Sequence, residues 1–261
     1  MGVIIVIPAR YESRRFPGKP LVELKGASGK ARTLLQRTYD VGVQVGGVDD
    51  VIVATDDERI ADHARAFGGK VVMTSRECRN GTERCAEVLA KLPAAPDLLV
   101  NLQGDAPLTP PHFVTALIDE IGDMAVATPV LRCDEETIGR FREDRANGTV
   151  GGTTAVMAND MRALYFSKEV IPYSDKAAAD LPPIYHHVGL YAYTAAAIGR
   201  YTSFDVGTLE THEGLEQLRF LENGIPVRCV EVKDDNQLFW EVNNPIDVER
   251  VEQALAKRGI E

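Results

Sequence analysis

Val3-Ile-Ile-Val-Ile7 runs straight into Pro8-Ala-Arg10 and on to Ser13-Arg-Arg-Phe-Pro-Gly-Lys-Pro20. An unbroken β-branched run of this kind is a strand buried on both faces, as found inside parallel sheets. The loop after it carries Arg10, Arg14, Arg15 and Lys19, with Gly18 available for close backbone approach. Open α/β sheets bind their ligands just beyond the carboxyl ends of central strands. Cations in that place call for a polyanion, and a nucleoside triphosphate is the leading candidate.

Working outward, the first half alternates strand and helix patterns. Strands are expected at 51–54, 70–73 and 98–102, and helices at 31–45, 58–67 and 82–92, with Gly68-Gly69 stopping the second helix. Such repeated units give parallel strands with right-handed crossovers. The expected fold is therefore α/β, a Rossmann-like three-layer arrangement around a mostly parallel sheet. The second half differs. Strands at 124–131, 153–157 and 188–193 sit among Pro- and Gly-rich segments, so an α+β insertion over about 124–205 is expected within one domain of 1–261. A helix at 213–222, a strand at 225–232 and a closing amphipathic helix at 247–258 complete the pattern, and 175–183 has the composition of a mobile loop.

The 261 residues carry 29 Lys and Arg against 39 Asp and Glu, a formal net charge of −10. That balance argues against nucleic acid or an anionic membrane as partner, and it makes the basic cluster at 10–19 conspicuous. A solvated basic loop is the plain alternative. Cys78, Cys85, Cys133 and Cys229 lack metal-ligand spacing and suit reduced thiols in the cytoplasm. No basic leader precedes the first strand and no apolar run approaches the roughly 20 residues of a membrane span, so a cytoplasmic location is expected. Neither the G-x-G-x-x-G fingerprint nor a P-loop follows the first strand. Phosphates would then be held by side chains: Arg10 and Arg15 as planar forks, Lys19 as a point charge.

The stretch 3–20, with Val53-Ala-Thr-Asp56, Gly81-Thr-Glu-Arg84, Asn101-Leu-Gln-Gly-Asp105, Ala163-Leu-Tyr-Phe-Ser167, His187-Val-Gly-Leu-Tyr-Ala-Tyr193 and Leu215-Glu-Gln-Leu-Arg219, resembles the 3-deoxy-manno-octulosonate (Kdo) cytidylyltransferases. The resemblance runs in order from about residue 3 to about 255. It implies a nucleotidyltransferase fold and transfer of CMP from CTP to an acidic sugar, with pyrophosphate leaving, in lipopolysaccharide biosynthesis. It also implies Mg²⁺ and a homodimer built through the inserted strands. Ala9, Arg10, Ser13, Arg15, Lys19, Thr55, Asn80, Gly81, Arg84 and Gln103 would bind the nucleotide, with Arg10, Lys19 and Asp105 catalytic. Gln103, Lys168, His187, Tyr191, Glu216 and Gln217 would bind the acceptor. Asp105 ends a buried strand at the ligand edge, where a carboxylate suits Mg²⁺, an ion that takes few protein oxygens. A metal there would bridge phosphate and attacking oxygen and lower the latter's pKa. Plainer readings stand beside these: Asp105 as a turn residue before Pro107, Asn80 as a helix cap, and His187 and Tyr191 as core packing.

Four positions depart from the pattern. The second metal carboxylate of V-D-T-P-E-D is Asn243 in Val242-Asn-Asn-Pro-Ile-Asp247, whose amide oxygen can join Asp105 on Mg²⁺ but brings no charge and should weaken the metal there, and Asp247 corresponds to a later helix-capping Asp. The Arg of Y-F-S-R is Lys168, a strand Lys aligns with Thr154, and an Arg-His pair reads His186-His187. Cations are thinned around the acceptor while the nucleotide half is intact. A different acceptor (amino-Kdo, another acidic sugar, a phosphonate or a phosphate) and a non-catalytic CTP-binding homologue are the alternatives.

Overall fold

The computed structural model describes residues 1–12, 15–150, 152–174, 181–234 and 241–261. Its contacts divide the chain into two compact units, 1–115 with 234–261, and 116–233. The insertion expected at 124–205 falls inside the second.

In the first unit, β1 (Val3–Ala9) has six of seven residues buried. After it come β2 (Glu23–Lys25), β3 (Ala31–Thr33), α1 (Leu34–Gln44), β4 (Asp50–Thr55), α2 (Glu58–Ala66), β5 (Lys70–Met73), α3 (Gly81–Lys91) and β6 (Leu98–Leu102). The sheet order is β5-β4-β1-β6, every pair parallel, with Ile4 opposite Asp50 and Leu99. Helices α1, α2 and α3 pack on these strands. Ile4, Ile5, Val6 and Ile7 are all buried, Ile5 to 0% exposure. Each side chain so buried contributes about 1.5–3 kcal/mol, which fixes β1 at the centre. All carboxyl ends of this parallel sheet face one way, so the loops after β1 and β6 meet.

The helix expected at 31–45 begins later. Residues 31–33 form β3 and pair antiparallel with β2. Thr33 is the reason: in extended conformation, its side chain accepts from the Gln36 N–H at 3.2 Å and caps α1. Arg37 then ties the helix to the hairpin, donating from Nε and Nη2 to the Leu24 carbonyl at 3.2 and 2.7 Å.

Helix α4 (Pro111–Glu120) spans the boundary in sequence between the units. The second unit holds β7 (Val126–Arg132), α5 (Glu135–Ala146), β8 (Thr153–Met157), β9 (Ala163–Ser167), β10 (Tyr185–His187), β11 (Leu190–Thr194), α6 (Ala195–Tyr201), α7 (Thr208–Glu213), α8 (Leu218–Glu222) and β12 (Val227–Val232). Its sheet is mixed: β7 pairs parallel with β12 and antiparallel with β10 and β11, and β8 joins β10 to β9. The single helix expected at 213–222 is two. Gly214, at φ +62°, takes the left-handed conformation that ends α7, and α8 starts only at Leu218. Arg219, on α8, is then buried in a bidentate pair with Glu210 on α7, both bonds 2.6 Å, with its guanidinium 4.2 Å from the Tyr201 ring. The chain returns to the first unit and closes with α9 (Asp247–Arg258). Among the described residues no helix is long and apolar enough to cross a membrane.

Candidate active site

The first unit carries a cleft of about 1110 Å³ at the carboxyl ends of its strands. Ala9, Arg10, Arg15, Lys19, Asn80, Gly81, Arg84, Gln103, Asp105 and Asn243 all line it. Ser13 and Arg14 lie outside the described residues. Thr55 does not line the cleft; it is fully buried, and its hydroxyl accepts from the Asp57 N–H at 3.2 Å.

Gly18 shapes the basic loop. At φ +72° it donates to the Tyr11 carbonyl at 2.9 Å and turns the chain into the short helical turn Lys19–Leu21. Lys19 Nζ then reaches Asp105 Oδ2 at 2.7 Å, with side chains 14% and 20% exposed. Arg15 donates from Nη2 to Asn243 Oδ1 at 3.0 Å. The cation loop and the carboxylate beyond β6 thus share one cleft. Tyr11, Glu12, Arg59 and Arg79 also line it, and none of them was singled out from sequence. The Arg59 guanidinium lies 3.3 Å from the Tyr11 ring centre while pairing with Asp57 at 2.6 Å. A sequence signal for this pairing is lacking, because it joins the loop after β1 to the first turn of α2.

Also lining the cleft, Asn80 caps α3, its side chain accepting from the Glu83 N–H at 2.8 Å. The capping role and the position beside the cleft coexist, since a helix N-terminus presents backbone N–H groups. Arg84 is buried, bonded to the Thr74 hydroxyl and 3.5 Å from Asp56. Those contacts tie α3 to the segments that follow β4 and β5.

The donor set fits Mg²⁺. Asp105 Oδ1 is buried without a hydrogen-bond partner, an oxygen of the kind a small hard cation takes. Among the described residues no group of three or more His, Cys, Asp or Glu could hold a metal. Sequence reasoning missed Glu241. Burial and the charge of Asp105 push its carboxyl up to about 7, against the pull of Asn243, Lys19 and Arg15. Asn243 Nδ2 donates to Glu241 Oε2 at 3.3 Å, and the Val242 N–H donates to the Asp105 carbonyl at 2.9 Å. Spacing two from Asn243 was the available clue. Asp247 is committed elsewhere: its Oδ2 accepts from the N–H groups of Asn243 and Asn244 at 2.9 and 2.7 Å.

The acceptor candidates other than Gln103 lie in the second unit, where two groups form. His187 is buried, its Nε2 3.0 Å from the Thr128 hydroxyl, against the rings of Phe166 and Tyr191. Burial, with His186 adding to it, pushes its pKa down to about 3, so the ring is neutral. Tyr191 donates to Gln217 Oε1 at 3.1 Å, while Gln217 Nε2 is buried with no partner. Glu216 accepts from the Tyr201 hydroxyl through its backbone carbonyl at 3.0 Å. In the second group, Glu213 accepts from the Lys168 N–H at 2.8 Å and the Ser167 hydroxyl at 2.6 Å. At the departing positions, Thr154 is buried with its hydroxyl donating to the Glu169 carbonyl at 2.6 Å. His186 packs edge-on to Phe141 at 5.2 Å, and burial pushes it down to about 4.

Comparison with known proteins gives a consistent picture. The family model described as cytidylyltransferase matches residues 4–233. The chain is 42% identical to the 3-deoxy-manno-octulosonate cytidylyltransferase of Maricaulis maris over 262 residues, covering 99% of each. It is 37% identical to the 8-amino-3,8-dideoxy-manno-octulosonate cytidylyltransferase of Shewanella amazonensis, over 98% of this chain and 99% of that one. Among solved structures, CMP:2-keto-3-deoxy-manno-octonic acid synthetase complexed with CTP superposes with a TM-score of 0.86 at 34% identity, over 99% of this chain and all of the other.

Proposed function

The chain belongs to the cytidylyltransferase family, and on that premise we propose that it transfers CMP from CTP to a sugar acid of the Kdo type, with Mg²⁺. The acceptor hydroxyl oxygen attacks the α-phosphorus, the bond to the β-phosphate oxygen breaks, pyrophosphate leaves, and the hydroxyl proton is released. The observation that carries this reading is the Lys19–Asp105 pair at 2.7 Å, which joins the phosphate-binding loop to the candidate metal carboxylate in one cleft.

Such chemistry needs positioning and charge neutralisation rather than a protein nucleophile. Arg10, Arg15 and Lys19 line the cleft on one side and would take the β- and γ-phosphates and the departing pyrophosphate. Gln103 and the start of α3 at Gly81 offer amide and backbone groups to the base. Asp105, through its unpartnered Oδ1, would hold Mg²⁺, which when bound supplies Lewis-acid neutralisation of the phosphate charge. In the second unit, Lys168 would meet the sugar carboxylate as a point charge, and the neutral His187 with Tyr191 and Gln217 would meet hydroxyls.

A second reading, an amino-substituted sugar acid as acceptor, has a specific observation behind it. At Thr154 and His186, where the resemblance expects cations, one side chain is an uncharged hydroxyl bonded inward and the other a half-buried ring whose pKa is pushed down. An acceptor with its own ammonium needs fewer protein cations. A homodimer belongs to the same proposal, supported by exposed Leu164 (62%) on β9, a terminal strand of the second unit's sheet.

The test is pyrophosphate release from CTP with Mg²⁺ across a panel of 2-keto-3-deoxy sugar acids, amino-substituted ones included. Release with CTP but not ATP or GTP, and only with an acceptor present, is expected. Silence across the whole panel overturns the assignment.

A further inference from the structure

We propose that Glu241 supplies the second carboxylate of the metal site, with Asn243 holding it in place rather than ligating the ion. This rests on the reading of the cleft as a CTP site.

Asn243 stands where a second anionic ligand is expected, yet both ends of its amide are engaged. Its Oδ1 accepts from Arg15 at 3.0 Å, and its Nδ2 donates to Glu241 Oε2 at 3.3 Å. An amide carries no charge, so substitution of a carboxylate by Asn alone would leave Asp105 the sole anion facing a divalent ion. Asp247 cannot make up the loss, because one of its oxygens is held by two backbone N–H groups at the start of α9. Glu241 can. The bond from the Val242 N–H to the Asp105 carbonyl, 2.9 Å, lays the segment 241–243 alongside Asp105. The contact between Glu241 and Asn243 puts these two side chains together, and Glu241 feels the charges of Asp105, Lys19 and Arg15. On the other side, Asp105 keeps one buried oxygen without a partner. Two carboxylates with nucleotide phosphates and water meet what Mg²⁺ asks of a protein. The negative charge has moved two residues upstream, and the Asn left behind links it to the cation loop through Arg15.

The experiment uses the full chain with CTP and no acceptor, and Mn²⁺ as the probe, its free concentration read by electron paramagnetic resonance. CTP affinity in EDTA is measured alongside by calorimetry. For Glu241→Gln we expect Mn²⁺ affinity to fall by about tenfold or more, with CTP affinity in EDTA unchanged or tighter, because a nearby negative charge is gone. The double variant Glu241→Gln with Asn243→Asp returns the carboxylate to position 243 and should recover most of the Mn²⁺ affinity. A smaller loss in Glu241→Gln overturns the proposal, as does an equal loss of CTP binding in EDTA, which would make Glu241 a brace for the basic loop. Failure of the wild-type chain to bind CTP at all would instead remove the cytidylyltransferase reading beneath it.

Discussion

The nucleotide cleft of the first unit and the acceptor candidates of the second are built in opposite ways. In the cleft, Arg10 and Arg15 are exposed, the Lys19 ammonium pairs with Asp105, and an Asp105 oxygen lacks a hydrogen-bond partner. In the second unit His187, Tyr191 and Gln217 are buried, and His187 and Tyr191 are bonded to their own unit. A polyanion can be met by mobile charge at a rim, because Coulomb attraction tolerates imprecise geometry. Hydroxyls of a sugar need donors and acceptors fixed in advance, and burial fixes them. The lesson is that a charge-lined cleft and a set of buried polar pairs draw differently on the stability of the fold.

Substitutions can sharpen or break this contrast. The largest effect should come from Asp105→Asn, with turnover falling by about 10³-fold, and Lys19→Met should lose about 10²-fold. Removing either partner of this part-buried pair should cost less unfolding free energy than breaking a fully buried one; a large drop in thermal stability would show that this pair is structural. Next is Glu210→Ala in the second unit. It takes the carboxylate from a guanidinium whose side chain is 1% exposed, so unfolding free energy should fall by about 3–5 kcal/mol in denaturant titrations. A stable Glu210→Ala chain would break the claim that the second unit rests on buried polar pairs. The smallest effect concerns Cys78, which lines the cleft yet is half-buried and donates to Glu87 at 3.2 Å. Burial and that bond push its thiol up to about 11. Iodoacetamide at neutral pH should therefore label it about 10²-fold more slowly than free cysteine, and Glu87→Gln should speed the reaction.

Much of the nucleotide half was legible in the sequence, because β1 is a continuous β-branched run and because Lys19 and Asp105 follow strands that lie side by side. The rest depended on contacts that no local pattern carries. Helix α5 escaped notice because only Ile138 and Phe141 of its twelve residues are buried, too few to show a period. The break between α7 and α8 was hidden because Leu215 and Leu218 have helical spacing, although Leu215 lies in the turn after Gly214 and α8 begins only at Leu218. Glu241 could not be weighed until the Val242 N–H was seen on the Asp105 carbonyl, a contact 137 positions apart in the chain. Thr55 was misplaced for a similar reason: its motif ends at the ligand edge, but its hydroxyl turns to the backbone of the next turn.

The Lys19–Asp105 bond has a thermodynamic corollary. As it stands, the pair cancels its own charge, so a nucleotide arriving alone would compete with Asp105 for Lys19, and a divalent cation taken up on Asp105 as proposed would weaken that carboxylate's hold on Lys19. When both arrive, each releases the group the other needs. Their affinities are thereby linked, and by reciprocity each must strengthen the other by the same factor.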